Sequence, residues 1–252
     1  QAKGHATLEC FQIGYDCIQS ILLKQEAQTV AHVQQLLSKP QSVQRTEEWY
    51  REMRVVLSAS EFYKLFGTPR ARGELVLSKI QAQEEMAPPR LCCLTMEMTA
   101  LDWGIRFEPV AKMILESRWK AKIAEMGRLH HPTRKGLAAS PDGLVTECED
   151  PSRVGDLIEI KCPSTREVGK GVPPNYWHQM QLQLEVASSP LCQYCEFTFR
   201  SYTAQQQTCN EPKEYSEKGN IFIVQNITSP RMQYEYSPVA VSYTHLRAHE
   251  TP

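Results

Sequence analysis

An α/β domain, with a central mixed sheet and helices on both faces, is the fold class the sequence predicts. Three observations carry it. Phe107, Val110, Ala111, Ile114 and Leu115 repeat at helical period. Two apolar runs follow: one closes in the turn Ser140-Pro141-Asp142-Gly143 and the other spans residues 157–160, giving strand, turn, strand. A helical pattern over residues 176–186 then precedes strand-like segments at 195–202 and 221–227.

The first segment, residues 1–43, reads as a helical extension. Ile18, Ile21, Leu22, Val30, Val33, Leu36 and Leu37 keep a rough helical spacing, and Pro40 ends it. Thr46 is placed to cap a helix reaching about Arg54, and Ser58 or Ser60 to cap the next, with Glu61 in its first turn. Helix N-termini and their hydroxyls bind anions, so Arg51, Arg54, Ser58 and Ser60 are candidates for a phosphate pocket. Plain capping beside a solvated charged face explains the same residues.

Residues 67–95 read as a loop region, because Gly67, Pro69, Gly73 and Pro88-Pro89 interrupt it. Cys92 and Cys93 are adjacent, which is poor spacing for a shared metal and favours buried thiols. In the helix of residues 96–118, Glu108 flanks the apolar stripe, and Pro109 is expected to limit the helix there, leaving Glu108 at a kink or in a first turn. Residues 118–135 form the most basic stretch, with Arg118, Lys120, Lys122, Arg128, Arg134 and Lys135. It is either an electrostatic footprint for a phosphate backbone or a solvated helix and turn. His130 and His131 are expected as exposed loop histidines.

The strand at 157–160 carries the chemistry. Alternate side chains of a strand face opposite ways, so Glu159 and Lys161 share one face and Ile158 and Ile160 the other. Buried charges persist only when paired, hydrogen-bonded or bound to a metal. Asp142 and Glu159 offer hard oxygen ligands suited to Mg²⁺ or Mn²⁺, and the Ile160 carbonyl between Glu159 and Lys161 is a further candidate. Lys161 is placed to hold or activate a water or to stabilise a phosphoryl oxygen. Together these residues suffice for metal-assisted phosphodiester hydrolysis. An ordinary Glu–Lys pair on a surface hairpin is the plainer explanation of the short spacing.

Downstream, residues 165–174 read as a loop whose Gly169 and Gly171 suggest mobility. The helix at 176–186 is expected to bury Trp177, Met180, Leu184 and Ala187, with Gln179 beside that stripe. Cys192, Cys195 and Cys209 lack an evident fourth ligand for zinc. Residues 231–252 are expected as a tail, of which 241–252 resembles a translated library-adapter sequence more than native protein.

Length and composition bound the rest. The 252 residues suit one large domain or two small ones. A formal net charge of −1 gives no global attraction to nucleic acid, so DNA binding must rest on local patches and metal. Nine cysteines, an odd number, suggest an intracellular reducing compartment more than a disulfide scaffold. No apolar run approaches a membrane span. Residue 1 is Gln and no signal-peptide pattern follows, which fits a fragment.

Ser140-Pro141-Asp142-Gly143-Leu144 and Leu157-Ile158-Glu159-Ile160-Lys161-Cys162-Pro163 together resemble the PD-(D/E)XK nuclease motif, as found in the lambda exonuclease/YqaJ-like viral recombinase family. The resemblance covers about residues 44–230. It extends to Gly104-x-x-x-Glu108-Pro-x-Ala111, to Trp49 and Ser60, and to Tyr176-Trp-His-Gln-Met-Gln-Leu-Gln-Leu.

The resemblance implies a restriction-endonuclease-like fold and a Mg²⁺-dependent DNA exonuclease acting 5′→3′ on double-stranded DNA ends. Glu108, Asp142 and Glu159 would bind the metal, and Lys161 would position or activate the water. Ser60, Ser140, Gln179 and an arginine would grip the terminal phosphate. That arginine is Arg54, one position out of register, or Arg51. A ring-shaped homotrimer and a single-strand annealing partner are implied in the same way. An endonuclease or nickase of the same fold, and a non-catalytic nucleic-acid-binding module, are the competing functions.

Overall fold

The segments flanking the Pro-Asp-Gly turn set the architecture. The computed structural model of the protein describes residues 2–81, 98–200, 217, 219–225 and 232–238. Its helices are α1 (Ala2–Ser38), α2 (Glu47–Met53), α3 (Pro69–Gln81), α4 (Ala100–Trp119) and α5 (Pro174–Ala187), with 3₁₀ helices at Ala59–Phe66 and Pro151–Arg153. Its strands are β1 (Leu57–Ser58), β2 (Ala121–Ala124), β3 (Leu129–His130), β4 (Leu137–Ala139), β5 (Gly143–Cys148), β6 (Leu157–Lys161), β7 (Cys192–Glu196), β8 (Ile221–Gln225) and β9 (Met232–Tyr236).

The main sheet is mixed, in the order β2-β5-β6-β7. β5 pairs antiparallel with β2 and β6, while β6 and β7 are parallel. Parallel neighbours need a crossover connection, and α5 supplies it between β6 and β7. A smaller sheet, β1-β4-β3, and a β8-β9 hairpin complete the strands.

Alternation along β5 and β6 divides the core into two layers. Leu144 and Leu157 point into a cluster with Leu182, Val186 and Ala187 of α5 and Val33 and Leu36 of α1. Val145, Ile158 and Ile160 point into a second cluster with Phe107, Ala111 and Leu115 of α4. Helices therefore cover both faces, as the sequence predicts. Gly143 opens β5 because a Cβ there would lie 2.4 Å from Ile123 Cγ2 of β2.

Several elements differ from expectation for identifiable reasons. The supposed loop at 67–95 contains α3: Pro69 sits where a helix needs no N–H, and Thr68 Oγ1 accepts from the Ala71 N–H at 3.2 Å. Pro109 does not limit α4, which starts at the Thr99 cap and runs through it, so Glu108 lies within the helix rather than in its first turn. Of the α1 stripe only Val33 and Leu36 are buried, while Ile18, Ile21, Leu22, Val30 and Leu37 are exposed. Only the end of α1 lies over the domain, where His32 meets Ser189 at 3.3 Å.

On α5, Met180, Leu182, Gln183, Val186 and Ala187 are buried and Leu184 only partly so, while Trp177 is 51% exposed. Residues 177 and 179 are about 200° apart around a helix, so turning Gln179 toward β6 turns Trp177 outward.

The strand expected at 195–202 begins at Cys192 and ends at Glu196. Beyond it Phe197 and Phe199 turn to the α4 layer, where Phe199 stacks on Phe107 with centroids 4.6 Å apart. The strand at 221–227 is described as far as Gln225, and β9 pairs with it from within the expected tail. Cys92, Cys93, Cys209 and residues 239–252 lie outside the described residues.

Candidate active site

Glu159 is the most deeply buried charged residue among the described residues. It sits in the middle of β6, fully buried on the α5 face. Burying a carboxylate is costly unless its oxygens are satisfied, and here three donors satisfy them. Lys161 Nζ donates to Oε1 from the same strand face. Gln179 Nε2 donates to Oε1 at 2.7 Å, and Gln183 Nε2 donates to Oε2 at 2.6 Å. The two glutamines lie one helical turn apart, the spacing that puts side chains on one face.

Asp142 closes the turn into β5 and stands across from β6. Its N–H donates to the Ile158 carbonyl at 3.0 Å, and its Oδ2 accepts from the Ile160 N–H at 2.7 Å. The side chain thus replaces the next bond of the β5–β6 ladder, which fixes it beside the Ile160 backbone. Burial, followed by the nearby charges of Glu159 and Glu108, holds the Asp142 carboxyl well above the usual carboxylate range; Lys161 and the Ile160 N–H oppose this in part. Negative charge therefore converges on this point.

The pKa of Lys161 is raised as well. Burial alone would lower its pKa, but the charges of Glu159 and Asp142 outweigh burial and hold it above the ordinary lysine value. Its ammonium also lies 4.8 Å from the centre of the Tyr176 ring. Cys162, next in sequence, is buried and its thiol is pushed up to about 12, which leaves it unreactive.

These groups open on a cleft of about 600 Å³. Glu108, Asp142, Ile160, Lys161 and Gln179 line it, as do Ser58, Ser60 and Ser140. Glu108 reaches it from α4 and pairs with Arg45, Nη2 to Oε2, at 2.5 Å. Ser140 Oγ accepts from the Trp49 indole N–H at 3.1 Å, which leaves the serine proton available for another acceptor. Ser58 Oγ donates to Glu61 Oε2 at 2.6 Å and lies 3.2 Å from Ser60 Oγ.

The expected arginines are not in the cleft. Arg51 and Arg54 are absent from its lining. Arg51 is exposed and faces Glu47 one turn away at 4.0 Å, and Arg54 caps the C-terminus of α2. Helical period turns both away from Trp49, which does line the cleft. The cations that do line it are Arg45, Arg128, Lys161 and Arg166. Arg128 is 1% exposed and lies over the Trp49 ring at 4.5 Å. Its Nη2 donates to the Trp49 carbonyl at 3.1 Å, and its Nε forms an ion pair with Glu52 Oε2 at 3.4 Å without the alignment of a hydrogen bond.

Three further cations of the basic stretch are matched by acids. Arg118 pairs with Glu217, Lys120 with Glu149 and Lys122 with Glu147, so these three form no free basic patch. His131 is not an exposed loop residue. Its side chain is buried, its Nδ1 accepts from the Thr133 and Arg134 N–H groups, and its Nε2 meets Glu185 at 3.2 Å.

Glu108, Asp142, Glu159 and the Ile160 carbonyl are hard oxygen donors of the type Mg²⁺ and Mn²⁺ prefer, and the excess negative charge at Asp142 fits a cation. Among the described residues, however, no three His, Cys, Asp or Glu side chains stand as a ready-made metal cluster. Their oxygens are engaged elsewhere: Glu159 with Lys161 and two glutamines, Glu108 with Arg45.

Gln183, Arg45, Arg128 and Arg166 were not legible as site residues. Gln183 had one signal, its place four residues after Gln179. Arg128 was hidden in a run of charges.

Residues 48–190, more than half of the chain, match the family model of the YqaJ-like viral recombinase domain. An uncharacterised protein of Acanthamoeba polyphaga mimivirus is 25% identical over 174 residues, covering 65% of this chain and 30% of that protein. The chain thus spans about a third of the length of that relative. Among solved structures, an alkaline exonuclease from Laribacter hongkongensis is similar at 28% identity and a TM-score of 0.50, over 64% of this chain and 78% of that one. The architecture is restriction-endonuclease-like.

Proposed function

The chain belongs to the YqaJ-like viral recombinase domain family, and on that premise we propose that it is a metal-dependent DNA exonuclease. It hydrolyses phosphodiesters at linear duplex ends, 5′→3′, in DNA recombination or processing. The similar structure from Laribacter hongkongensis is an alkaline exonuclease, which supports the reading. The observation that carries it is local to this chain: Asp142, Glu159 and Lys161 converge at the junction of β5 and β6, with Glu108 reaching the same cleft from α4.

Each side chain has a task that follows from its surroundings. A divalent ion, Mg²⁺ or Mn²⁺, held by Asp142, Glu108, Glu159 and the Ile160 carbonyl would neutralise phosphoryl oxygens and acidify the attacking water. Lys161 is held protonated by its acidic neighbours. It therefore acts as a donor that positions the water or stabilises a phosphoryl oxygen, not as a base that removes a proton. Gln179 and Gln183 fix the Glu159 carboxylate, so its orientation costs no reorganisation during the reaction.

Ser140 has a hydroxyl proton to give to a terminal phosphate. Ser60 has one once it leaves Ser58. Both line the cleft with Arg45 and Arg128, and these cations take the place expected of Arg51 or Arg54. Phosphate recognition by such a set would favour 5′-phosphorylated ends.

The test is a digest of linear duplex, with and without a 5′-phosphate, beside a covalently closed circle, in Mg²⁺ and in EDTA. Mononucleotide release from phosphorylated linear DNA in Mg²⁺, with the circle intact, is the expected result. Cleavage of the circle would instead identify an endonuclease, and no cleavage in any arm would reduce the chain to a binding module.

A further inference from the structure

We propose that Arg45 is an internal counter-ion for Glu108, one that a divalent ion must displace before Glu108 can serve as a metal ligand. The inference rests on the reading of Glu108, Asp142 and Glu159 as metal ligands given above. Nothing in the sequence motifs assigns Arg45 a role.

Three independent observations place it there. First, Arg45 Nη2 lies 2.5 Å from Glu108 Oε2, and the Glu108 side chain is only 22% exposed. Second, Arg45 holds φ at 65°, one of three non-glycine residues with positive φ among the described residues. That conformation is unfavourable for an L-residue with a long side chain, and it occurs immediately before Thr46, the cap of α2. The chain therefore keeps a strained backbone at the residue whose side chain meets the acid.

Third, Arg45 lines two cavities. One is the catalytic cleft; the other, of about 410 Å³, shares part of its wall with it. Gln44, Arg45, Glu108 and Asp142 line both. A displaced guanidinium thus has room in either cavity and need not enter the core. Lys112 of the second cavity already faces Glu125 at 3.5 Å.

The arrangement has a simple electrostatic logic. Two of the three acids each carry a cation from the chain itself, Arg45 on Glu108 and Lys161 on Glu159. Asp142 has no salt bridge among the described residues. Asp142 and Glu108 would hold a divalent ion only by releasing Arg45 from Glu108, so that one cation would be exchanged for another. Arg45 would then be free at the wall of the cleft where a phosphate would lie.

Calorimetric titration of the full chain with Mn²⁺, without DNA, tests this apart from activity. Arg45→Gly removes the competing cation and relieves the backbone, so folding is not at risk. It is expected to tighten Mn²⁺ binding roughly threefold to fivefold, the upper end of what a partly exposed ion pair contributes. In a Glu108→Gln background the same change is expected to have no effect, because the pair no longer exists. Unchanged affinity in Arg45→Gly, or equal tightening in both backgrounds, overturns the proposal, the latter by reducing Arg45 to a long-range field. If the unaltered chain binds no Mn²⁺, this proposal and the metal-dependent reading fall together. If it binds Mn²⁺ and cuts DNA while Arg45→Gly changes nothing, only this one falls.

Discussion

Replacing Gln183 by leucine removes one donor from the buried carboxylate of Glu159, together with the weak acceptor that Gln183 Oε1 offers the Cys192 thiol at 3.7 Å. The two side chains are close in size, so no large cavity forms. The lost bond is short, 2.6 Å, and its acceptor is fully buried. A hydrogen bond to a charged group contributes about 1.5–3 kcal/mol. For a domain of this size about 1 kcal/mol shifts Tm by roughly 2–4 °C, so a fall of roughly 3–12 °C is expected, read by thermal unfolding in EDTA. Loss of a group that orients a metal-binding side chain typically costs about 10–100-fold in metal affinity or activity, so the rate of mononucleotide release should fall by that order. Gln183→Leu with a Tm within about 1 °C of the unaltered chain and a rate within about twofold would refute the view that Gln183 holds Glu159 in place.

Two further predictions concern stability. Gly143→Ala places a methyl group 2.4 Å from Ile123 Cγ2; overpacking of this kind costs about 1–3 kcal/mol, and a Tm equal to that of the unaltered chain would contradict the close β2–β5 approach. Glu61 is partly buried, which alone would raise its carboxyl pKa, but hydrogen bonds from Lys79 and Ser58 outweigh burial and lower it. A lowered folded value means the unfolded chain binds the proton more tightly, so the contribution to stability is complete above the ordinary value of 4.5 and is lost as pH falls toward the folded one. The Tm difference between the unaltered chain and Glu61→Gln should therefore shrink on acidification below that value; a difference that grows would contradict the assignment.

The parts legible in the sequence are those set by short-range rules. The strand at β6 followed from alternation, and the turn before β5 from Pro141, Asp142 and Gly143. The Thr46 cap followed from its side-chain chemistry. Asp142, Glu159, Lys161, Gln179 and Glu108 could be named because they sit in patterned segments, and the structure brings all of them to one cleft or to direct contact with a residue in it.

What was not legible depends on tertiary direction. Arg51 and Arg54 have the right chemistry, but the rotation of α2 carries them away from the cleft. Arg128 has no local signal, because only folding lays it against Trp49. The stripe on α5 was placed around Trp177, since the need to aim Gln179 and Gln183 at Glu159 is invisible until β6 and α5 are packed. α3 was missed because Pro69 and Gly73 were weighed as breakers, whereas Pro69 occupies the position a helix start tolerates.

Asp142→Asn offers the most direct trial of the account. The substitution is nearly isosteric, leaves an oxygen to receive the Ile160 N–H, and removes a charge that the folded chain already disfavours. Unfolding is therefore no escape from the result: in EDTA its Tm should equal or exceed that of the unaltered chain. Mononucleotide release from 5′-phosphorylated linear duplex in Mg²⁺ should nevertheless fall by about 100-fold or more, the order expected when a group that stabilises transition-state charge is lost. A folded Asp142→Asn chain that releases nucleotides within about twofold of the unaltered rate would show that hydrolysis does not depend on this carboxylate.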